Sequence, residues 1–428
     1  MSSIMVLMKT IAIITEYNPF HLGHLSQIEY VKDTFGDEYK IIVIMSGNFV
    51  QRGEPAIMEK YSRSRLAVEN GVSLVIELPT VFSSASAREF ARAGVQTIAA
   101  SGVTRDIICG AENPELRDTF ENISDVLAKD EPKYTSLLKE KLEEGNNFAT
   151  ARELSLQELL SEESASVSTI LSNSNNILAL EYLLAIKELG LSEKLSLHFS
   201  PRKGADELDT EISGVQASAS AVRETTLGAN SKAELIKALE YQLPPRVLAE
   251  LIARDYPQYD NFALATQKDF LIEDVDFLEQ FRDVDSDLAN RLKNTAEDYL
   301  YGKTNNLDFF SLASTRYYPL SRIKRSALAK VLGIKKSDWD AIQEQGPAFL
   351  NLLACDKDGR YLIKLMRRFA SLPITVKNSD LLETLNNNLD TSKIQQDINL
   401  RSDALYNLFS EEVDKGIFSE HLYILNKR

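Results

Sequence analysis

Two of the chain's four histidines, His21 and His24, lie three residues apart in "ITEYNPFHLGH", with Gly23 between them. Imidazoles there can donate hydrogen bonds to phosphoryl oxygens as charge develops on them, which stabilises a transition state electrostatically. Gly23 lets a ligand approach the backbone, and a helix starting at this turn offers free N–H groups and the positive end of its dipole. A nucleotide triphosphate is the anion such a turn suits. His-x-x-His could also hold a metal, but it lacks the Glu of His-Glu-x-x-His and any nearby third ligand, so no metal site is expected. Taken alone, the motif also has a structural alternative, two histidines satisfied in a turn. The ligand reading places both at a solvent-facing turn rather than in the core.

The elements around the motif decide what it can do. Residues 9–15 form a β-branched run bounded by Tyr-Asn-Pro, which reads as a buried strand. "LSQIEYVKDTF" then reads as a helix, "YKIIVIMSGN" as a strand, "KYSRSRLAVENG" as a helix and "VSLVIELP" as a strand. "SASAREFARAGVQTIAAS" and "NNILALEYLLAIKELG" read as further helices, "RDIICGAE" and "KLSLHFSPR" as further strands. Strands alternating with helices at this spacing predict a doubly wound α/β domain with a parallel sheet, Rossmann-like, over 1–240. Residues 241–428 read as a mainly α-helical domain, with one short strand at "LPITVKN". In a doubly wound sheet the first strand-to-helix turn, at the carboxyl end of the strand, is the favoured phosphate site. The histidines occupy that turn.

At 428 residues with 44% hydrophobic and 26% charged composition, the chain reads as a globular protein of two or three domains. Cys109 and Cys355 are its only cysteines, too few for a disulfide framework, which suggests a reducing cytoplasm. No apolar stretch approaches a membrane span. "MSSIMVLMKTIAIITEY" is too short and strand-like for a signal peptide, and Met1, Met5 and Met8 are alternative starts. A net charge of −15 argues against a protein that coats nucleic acid non-specifically. Yet residues 315–336, "TRYYPLSRIKRSALAKVLGIKK", carry seven Lys/Arg and no Asp/Glu, leaving −22 for the rest. Such an island is a candidate polyanion contact through Arg316, Arg322, Lys324 and Arg325; its bland alternative is a solvated helix face. Replacing Arg322, Lys324 and Arg325 together is expected to weaken the polyanion contact and leave nucleotide binding alone.

The strand, His-x-Gly-His turn and helix resemble the nucleotidyltransferase superfamily, in which this motif serves α-phosphate chemistry on ATP. That superfamily carries a second signature of small hydroxyl residues and an arginine at a helix start. "ASASAVRE" supplies Ser218, Ser220 and Arg223. Hydroxyls, N–H groups and one arginine suit the β- and γ-phosphates of a leaving pyrophosphate.

"MSGNFVQRGEPAIMEKYSR", "GVSLVIELP", "CGAE", "NNILALEYL", "ASASAVR", "STRYYPLSRIKR" and "LPITVKNSD" follow the histidine motif in order. In this the chain resembles the bacterial tRNA(Met) cytidine acetate ligase family over most of its length. The resemblance implies an enzyme that uses ATP and acetate to acetylate N4 of the wobble cytidine of elongator tRNA(Met). Acetate would attack the α-phosphate to give acetyl-adenylate and pyrophosphate; the cytidine amine would then displace AMP.

Carried over by motif, Ile14, Thr15, Glu16, Tyr17, Asn18, Pro19, Phe20, His21, Leu22, Gly23, His24, Leu25, Ser26 and Gln27 would hold ATP. His21, His24 and Arg223 would be catalytic. Gly110, Asn175, Asn176, Arg202, Ser218 and Ser220 would complete the nucleotide site, with Mg²⁺ left open as an ion carried by the phosphates. Ser46, Asn48, Gln51 and Arg52 would face the acetate or the cytidine. No protein partner and no membrane are implied. The chain departs from the family pattern at "SNSNN", at "KGADELD" after Arg202, and at Cys109, all on the adenine side. The rival functions are a small-cofactor adenylyltransferase, which would leave the helical half without purpose, and a nucleotide-dependent RNA-binding protein without catalysis. A degenerate aminoacyl-tRNA synthetase is suggested only by "IKKSD", which lies away from the sheet.

Overall fold

A computed structural model describes residues 8–129, 131–202, 217–303, 307–380, 390–411 and 421–425. Met1, Met5 and the "KGADELD" departure lie outside the described residues. Four apolar runs form the centre of a sheet: β1 (Thr10–Thr15), β2 (Lys40–Ser46), β3 (Leu74–Leu78) and β4 (Asp106–Ala111), joined at one edge by β5 (Ser196–Pro201). The order runs β5-β4-β1-β2-β3, all parallel, with Ile14 beside Ile44 and Ile44 beside Ile76. The doubly wound expectation holds.

Alternation along each strand sends side chains to two faces. Ala12, Ile14, Ile42, Ile44 and Ile76 pack toward one core with the helices Ala87–Ser101 and Ser174–Glu188. Ile11, Ile13, Ile41, Val43 and Val75 pack toward the other, against Ile28 and Val31 of α1 (Leu22–Phe35) and Leu66 of α2 (Lys60–Glu69). Helices on both faces explain why these strands are apolar runs without polar alternation. The chain leaves β1 toward β2 and later returns to β1's other side at β4, so the sheet's switch point opens between the carboxyl ends of β1 and β4.

Four helices precede Ser174–Glu188 in the β4–β5 connection: Arg117–Ala128, Pro132–Glu143, Phe148–Leu159 and Ser164–Ser172. The polar "SLQELLSEESASVS" falls within them.

Beyond residue 240 the described chain is mainly helical, but one expectation is corrected. Leu350–Cys355, inside a half read as helical except at "LPITVKN", is a fully buried strand, β6, antiparallel to β3. The expected short strand is present as β7 (Ile374–Thr375), and β8 (Tyr423–Ile424) also pairs with β6. The sheet therefore runs through both halves of the chain.

A buried polar cluster locks them further. Lys60 Nζ lies 2.9 Å from Glu77 and 2.7 Å from Asp403 of the helix Asp390–Phe409, with no exposure of the lysine side chain. Asn48 and Asn378 donate to Asp403, and Asn351 of β6 donates to Glu77.

Candidate active site

The histidine turn builds a reciprocal cap on α1. His21 is the N-cap residue, and its Nδ1 accepts the Gly23 N–H at 3.0 Å. His24, three positions on, accepts the His21 N–H on its own Nδ1 at 3.2 Å. This is the geometry of a capping box with imidazoles in place of hydroxyl and carboxylate. Because each Nδ1 accepts, each ring carries its proton on Nε2. The rings lie tilted by 32° with centroids 3.9 Å apart, and Tyr17 meets His24 edge-on at 4.8 Å. The turn is less open than expected. His21 is only 4% exposed, and its Nε2 is buried with no hydrogen-bond partner.

Burial, with the nearby Arg202 and Arg223, pushes the His21 pKa down to about 3. Burial, His21 and Arg202 push His24 well below its ordinary value. Both imidazoles are therefore neutral donors at neutral pH, not cations. A neutral donor aimed at developing phosphoryl charge acts by electrostatic preorganisation.

A cavity of about 460 Å³ opens at these rings and the carboxyl ends of β1, β4 and β5. Ile14, Thr15, Glu16, Tyr17, Asn18, His21, Gly23, His24, Ser26, Gln27, Gly110, Asn175 and Arg202 all line it. A Cβ at Gly110 would meet nothing within 4 Å, so its floor stays open. Phe20 is instead fully buried in the core, and Leu25 packs against the same cluster. Pro19 and Leu22 hold the turn without lining the cavity.

Arg202 is aimed by a relay. Its Nη1 donates to Asn175 Oδ1 at 2.6 Å, and Asn175 Nδ2 donates to Glu112 at 2.5 Å. Asn176 donates its backbone N–H to the Glu112 carboxylate and accepts the Glu112 N–H. Glu112 thus caps the helix Ser174–Glu188 and fixes both asparagines. "CGAE" and "NN" signal this clamp in the sequence, yet Glu112 was absent from the residues assigned there. Asn176 reaches the cavity only through it.

On the other side Ala217 and Ala219 line the cavity, while Ser218, Ser220 and Arg223 sit behind that lining; Ser218 caps the helix Ala219–Gly228 by accepting the Ala221 N–H at 2.9 Å. Arg223 donates to the Asn18 carbonyl at 2.8 Å and to Ser220 Oγ at 3.1 Å, and lies 3.7 Å from Glu54. Of Ser46, at the end of β2, and Asn48, Gln51 and Arg52 after it, only Gln51 lines the cavity; its N–H donates to Glu16 at 2.8 Å. Asn48 is spent on Lys60 and Asp403, Ser46 Oγ is buried with no partner, and Arg52 is half-buried in the turn that follows. The expectation that all four face substrate is narrowed to Gln51.

A model of the HIGH nucleotidyl transferase family matches residues 8–420. The chain is 32% identical to the tRNA(Met) cytidine acetate ligase of Fervidobacterium nodosum over 371 residues, 86% of this chain and 83% of that one. It is also 32% identical to the protein of that name from Thermoanaerobacter sp. (strain X514), covering 89% and 91%. The chain belongs to this ligase family. The crystal structure of apo Thermotoga maritima TmcAL is similar, with a TM-score of 0.87 at 28% identity, covering 98% of this chain and 100% of that one. So is that protein's structure bound with α-thio ATP, with a TM-score of 0.84 at 27% identity.

In this family member the basic island is not a bare cationic face. Its acids come from elsewhere in the chain: Arg322 pairs with Asp285 at 2.9 Å, Lys324 with Glu54 at 2.7 Å and Lys330 with Asp269 at 3.2 Å. Arg325 is half-buried in the field of Asp283 and Glu89. Arg316, Lys335 and Lys336 are exposed, and among the described residues no ion pair falls to them. The helix Leu320–Leu332 also touches the loop after β2, because a Cβ at Gly53 (φ +76°) would lie 2.4 Å from the Arg325 backbone nitrogen.

Proposed function

We propose that this chain is an ATP-dependent ligase that activates acetate as acetyl-adenylate and acetylates N4 of the wobble cytidine of elongator tRNA(Met). One observation carries the reading. Two neutral imidazoles present Nε2–H donors at a helix N-terminus inside a nucleotide-sized cavity, flanked by Arg202 and Arg223. Such a site fits displacement at an α-phosphate, where charge appears on oxygens that these donors can reach.

An acetate oxygen attacks the α-phosphorus, the bond to the β-phosphate breaks, and pyrophosphate leaves. His21 and His24 stabilise the α-phosphoryl oxygens, while Arg223 and the hydroxyl of Ser220 suit the departing phosphates. The mixed anhydride gives the weakly nucleophilic cytosine amine a carbonyl with a good leaving group, and AMP departs after attack. Among the described residues no three His, Cys, Asp or Glu side chains gather as a metal site, so a Mg²⁺ ion would travel on the phosphates.

The helical half, residues 241–428, is the proposed tRNA platform, with Arg316 as its exposed contact and Arg322, Lys324 and Arg325 in supporting positions. No helix among the described residues is long and apolar enough to cross a membrane, and a cytoplasmic location fits a tRNA substrate.

Nucleoside mass spectrometry of bulk tRNA from cells with and without this protein tests the reading. Loss of N4-acetylcytidine in the deletion is expected. Unchanged N4-acetylcytidine favours the cofactor adenylyltransferase or the non-catalytic RNA-binding protein.

A further inference from the structure

Acetylating an amine requires a group that takes its proton. When N4 of cytosine attacks the acetyl carbonyl, the nitrogen gains positive charge, and the amide forms only after that proton leaves. Among the described residues the cavity's acid–base groups, phenols and the thiol aside, are His21, His24, Glu16, Glu29 and Asp33. The imidazoles are excluded, because each Nδ1 already accepts a backbone N–H and each Nε2 carries a proton. Glu29 and Asp33 lie eight and twelve residues beyond the cap. At about 1.5 Å per residue they are roughly 12 and 18 Å along α1 from the imidazole end.

Glu16 remains. It is the residue immediately past β1, and the next residue, Tyr17, touches the His24 ring at 4.8 Å. Its position is held from both sides. Arg63, with no exposure, donates to the Glu16 carbonyl at 2.5 Å, to the Met58 carbonyl at 2.8 Å and to the Gly47 carbonyl. One guanidinium so ties together the loops that follow β1 and β2. The Gln51 N–H then orients the Glu16 carboxylate at 2.8 Å. A carboxylate accepts through both oxygens, so an incoming amine can join or replace the partners of Glu16. A carboxylate also accepts from the exocyclic amine of cytosine and repels the keto oxygen that uracil carries at the same place.

We propose that Glu16 accepts the N4 hydrogen bond of the incoming cytidine and takes its proton during acetyl transfer; this rests on the ligase reading above. The N4–C bond forms, the bond between the acetyl carbon and the AMP oxygen breaks with its electron pair on AMP, and the N4 proton passes to Glu16 and then to water.

Glu16→Gln keeps an acceptor for the Gln51 N–H and removes the base. Two assays on the full chain separate the steps. The first is acetate-dependent ATP–pyrophosphate exchange without tRNA; the second is single-turnover transfer from supplied acetyl-adenylate to unmodified elongator tRNA(Met). The loss in transfer is expected to exceed the loss in exchange by a factor on the order of 10², with partial recovery in Glu16→Asp. Equal losses in both assays, or no loss in transfer, overturn the assignment while wild-type transfer stands. A wild-type chain that transfers nothing from acetyl-adenylate overturns the ligase reading and this proposal with it.

Discussion

Lys324 Nζ lies 2.7 Å from Glu54 Oε2, joining a helix of the C-terminal half to a carboxylate in the loop after β2. Arg223 Nε lies 3.7 Å from the other oxygen of that carboxylate. Burial pushes the Glu54 pKa up, but Lys324 and Arg223 outweigh it and hold the group below its ordinary 4.5. Arg223 and the helical half therefore share one anion.

Lys324→Met leaves buried Glu54 to the fields of Arg223 and Arg52, which draws Arg223 away from Ser220. The KM for ATP in pyrophosphate exchange is expected to rise several-fold, and stability to fall by about 1–3 kcal/mol, discounted because Lys324 is partly exposed. Since the folded pKa is depressed, the pair's stabilisation is complete above the ordinary value and is lost as pH falls through the folded one. Urea unfolding at pH 7 and at pH 4 should therefore show less difference between wild type and variant at the lower pH. Unchanged ATP kinetics would count against the coupling. Triple replacement of Arg322, Lys324 and Arg325 will, for the same reason, disturb ATP handling as well as tRNA binding.

His24→Ala should reduce acetate-dependent exchange by a factor on the order of 10²–10³, the cost of losing one preorganised donor. It also removes the acceptor for the His21 N–H, costing about 1 kcal/mol as a lost helix cap does. A variant with near-normal turnover would contradict the role assigned to the ring.

Neutral histidines make a pH prediction. His21 titrates near 3 in the folded chain and near 6.5 unfolded, so the unfolded state binds its proton first as pH drops. Stability should decline between pH 6.5 and about 3 by up to roughly 1.4 kcal/mol per pH unit for this ring, and His24, also pushed down, adds a loss in the same direction. ¹⁵N NMR of labelled histidine is expected to show His21 and His24 protonated on Nε2 alone down to pH 5. A midpoint near 6.5 for either ring would refute the neutral-donor assignment.

Arg316, Lys335 and Lys336 carry exposed charge without the acidic partners that occupy Arg322 and Lys324. Replacing Arg316 alone should lower the salt slope of tRNA binding by about one unit or less and leave the KM for ATP unchanged. Filter binding across a salt series measures this. An unaltered slope would move the tRNA contact off this end of the helix.

Lys60→Met removes the one cation between Glu77 and Asp403, two buried carboxylates from opposite halves of the chain. Burial pushes the Asp403 pKa up, and Lys60 only partly offsets it. The expected cost is about 3–5 kcal/mol, with the helix Asp390–Phe409 becoming protease-sensitive first. Lys60→Met with Asp403→Leu should recover part of the loss by removing an orphaned charge. Equal instability of the single and double variants would show that the lysine's packing, not its charge, matters.

Local sequence was enough to define the histidine turn and the parallel half of the sheet. A β-branched run, a turn and a helix are neighbours along the chain, and His21 and His24 cap α1 through bonds spanning two or three residues. Ser220 and Arg223 were legible for the same reason, since hydroxyl and guanidinium sit on one helix turn just after the Ser218 cap. Contacts between distant segments were not. "FLNLLAC" reads with the helical half, and only β3, a partner more than 270 residues earlier, makes this short apolar run a strand. The basic island looked unopposed because Asp285, Glu54 and Asp269 lie outside it, and no periodicity records which carboxylate a lysine will meet. Glu112 and Arg63 act by holding other residues, so their roles exist only once the chain has closed around them. Backbone hydrogen bonding and helix capping are short-range and leave a pattern in the sequence; charge pairing and sheet closure across the molecule are decided by packing alone.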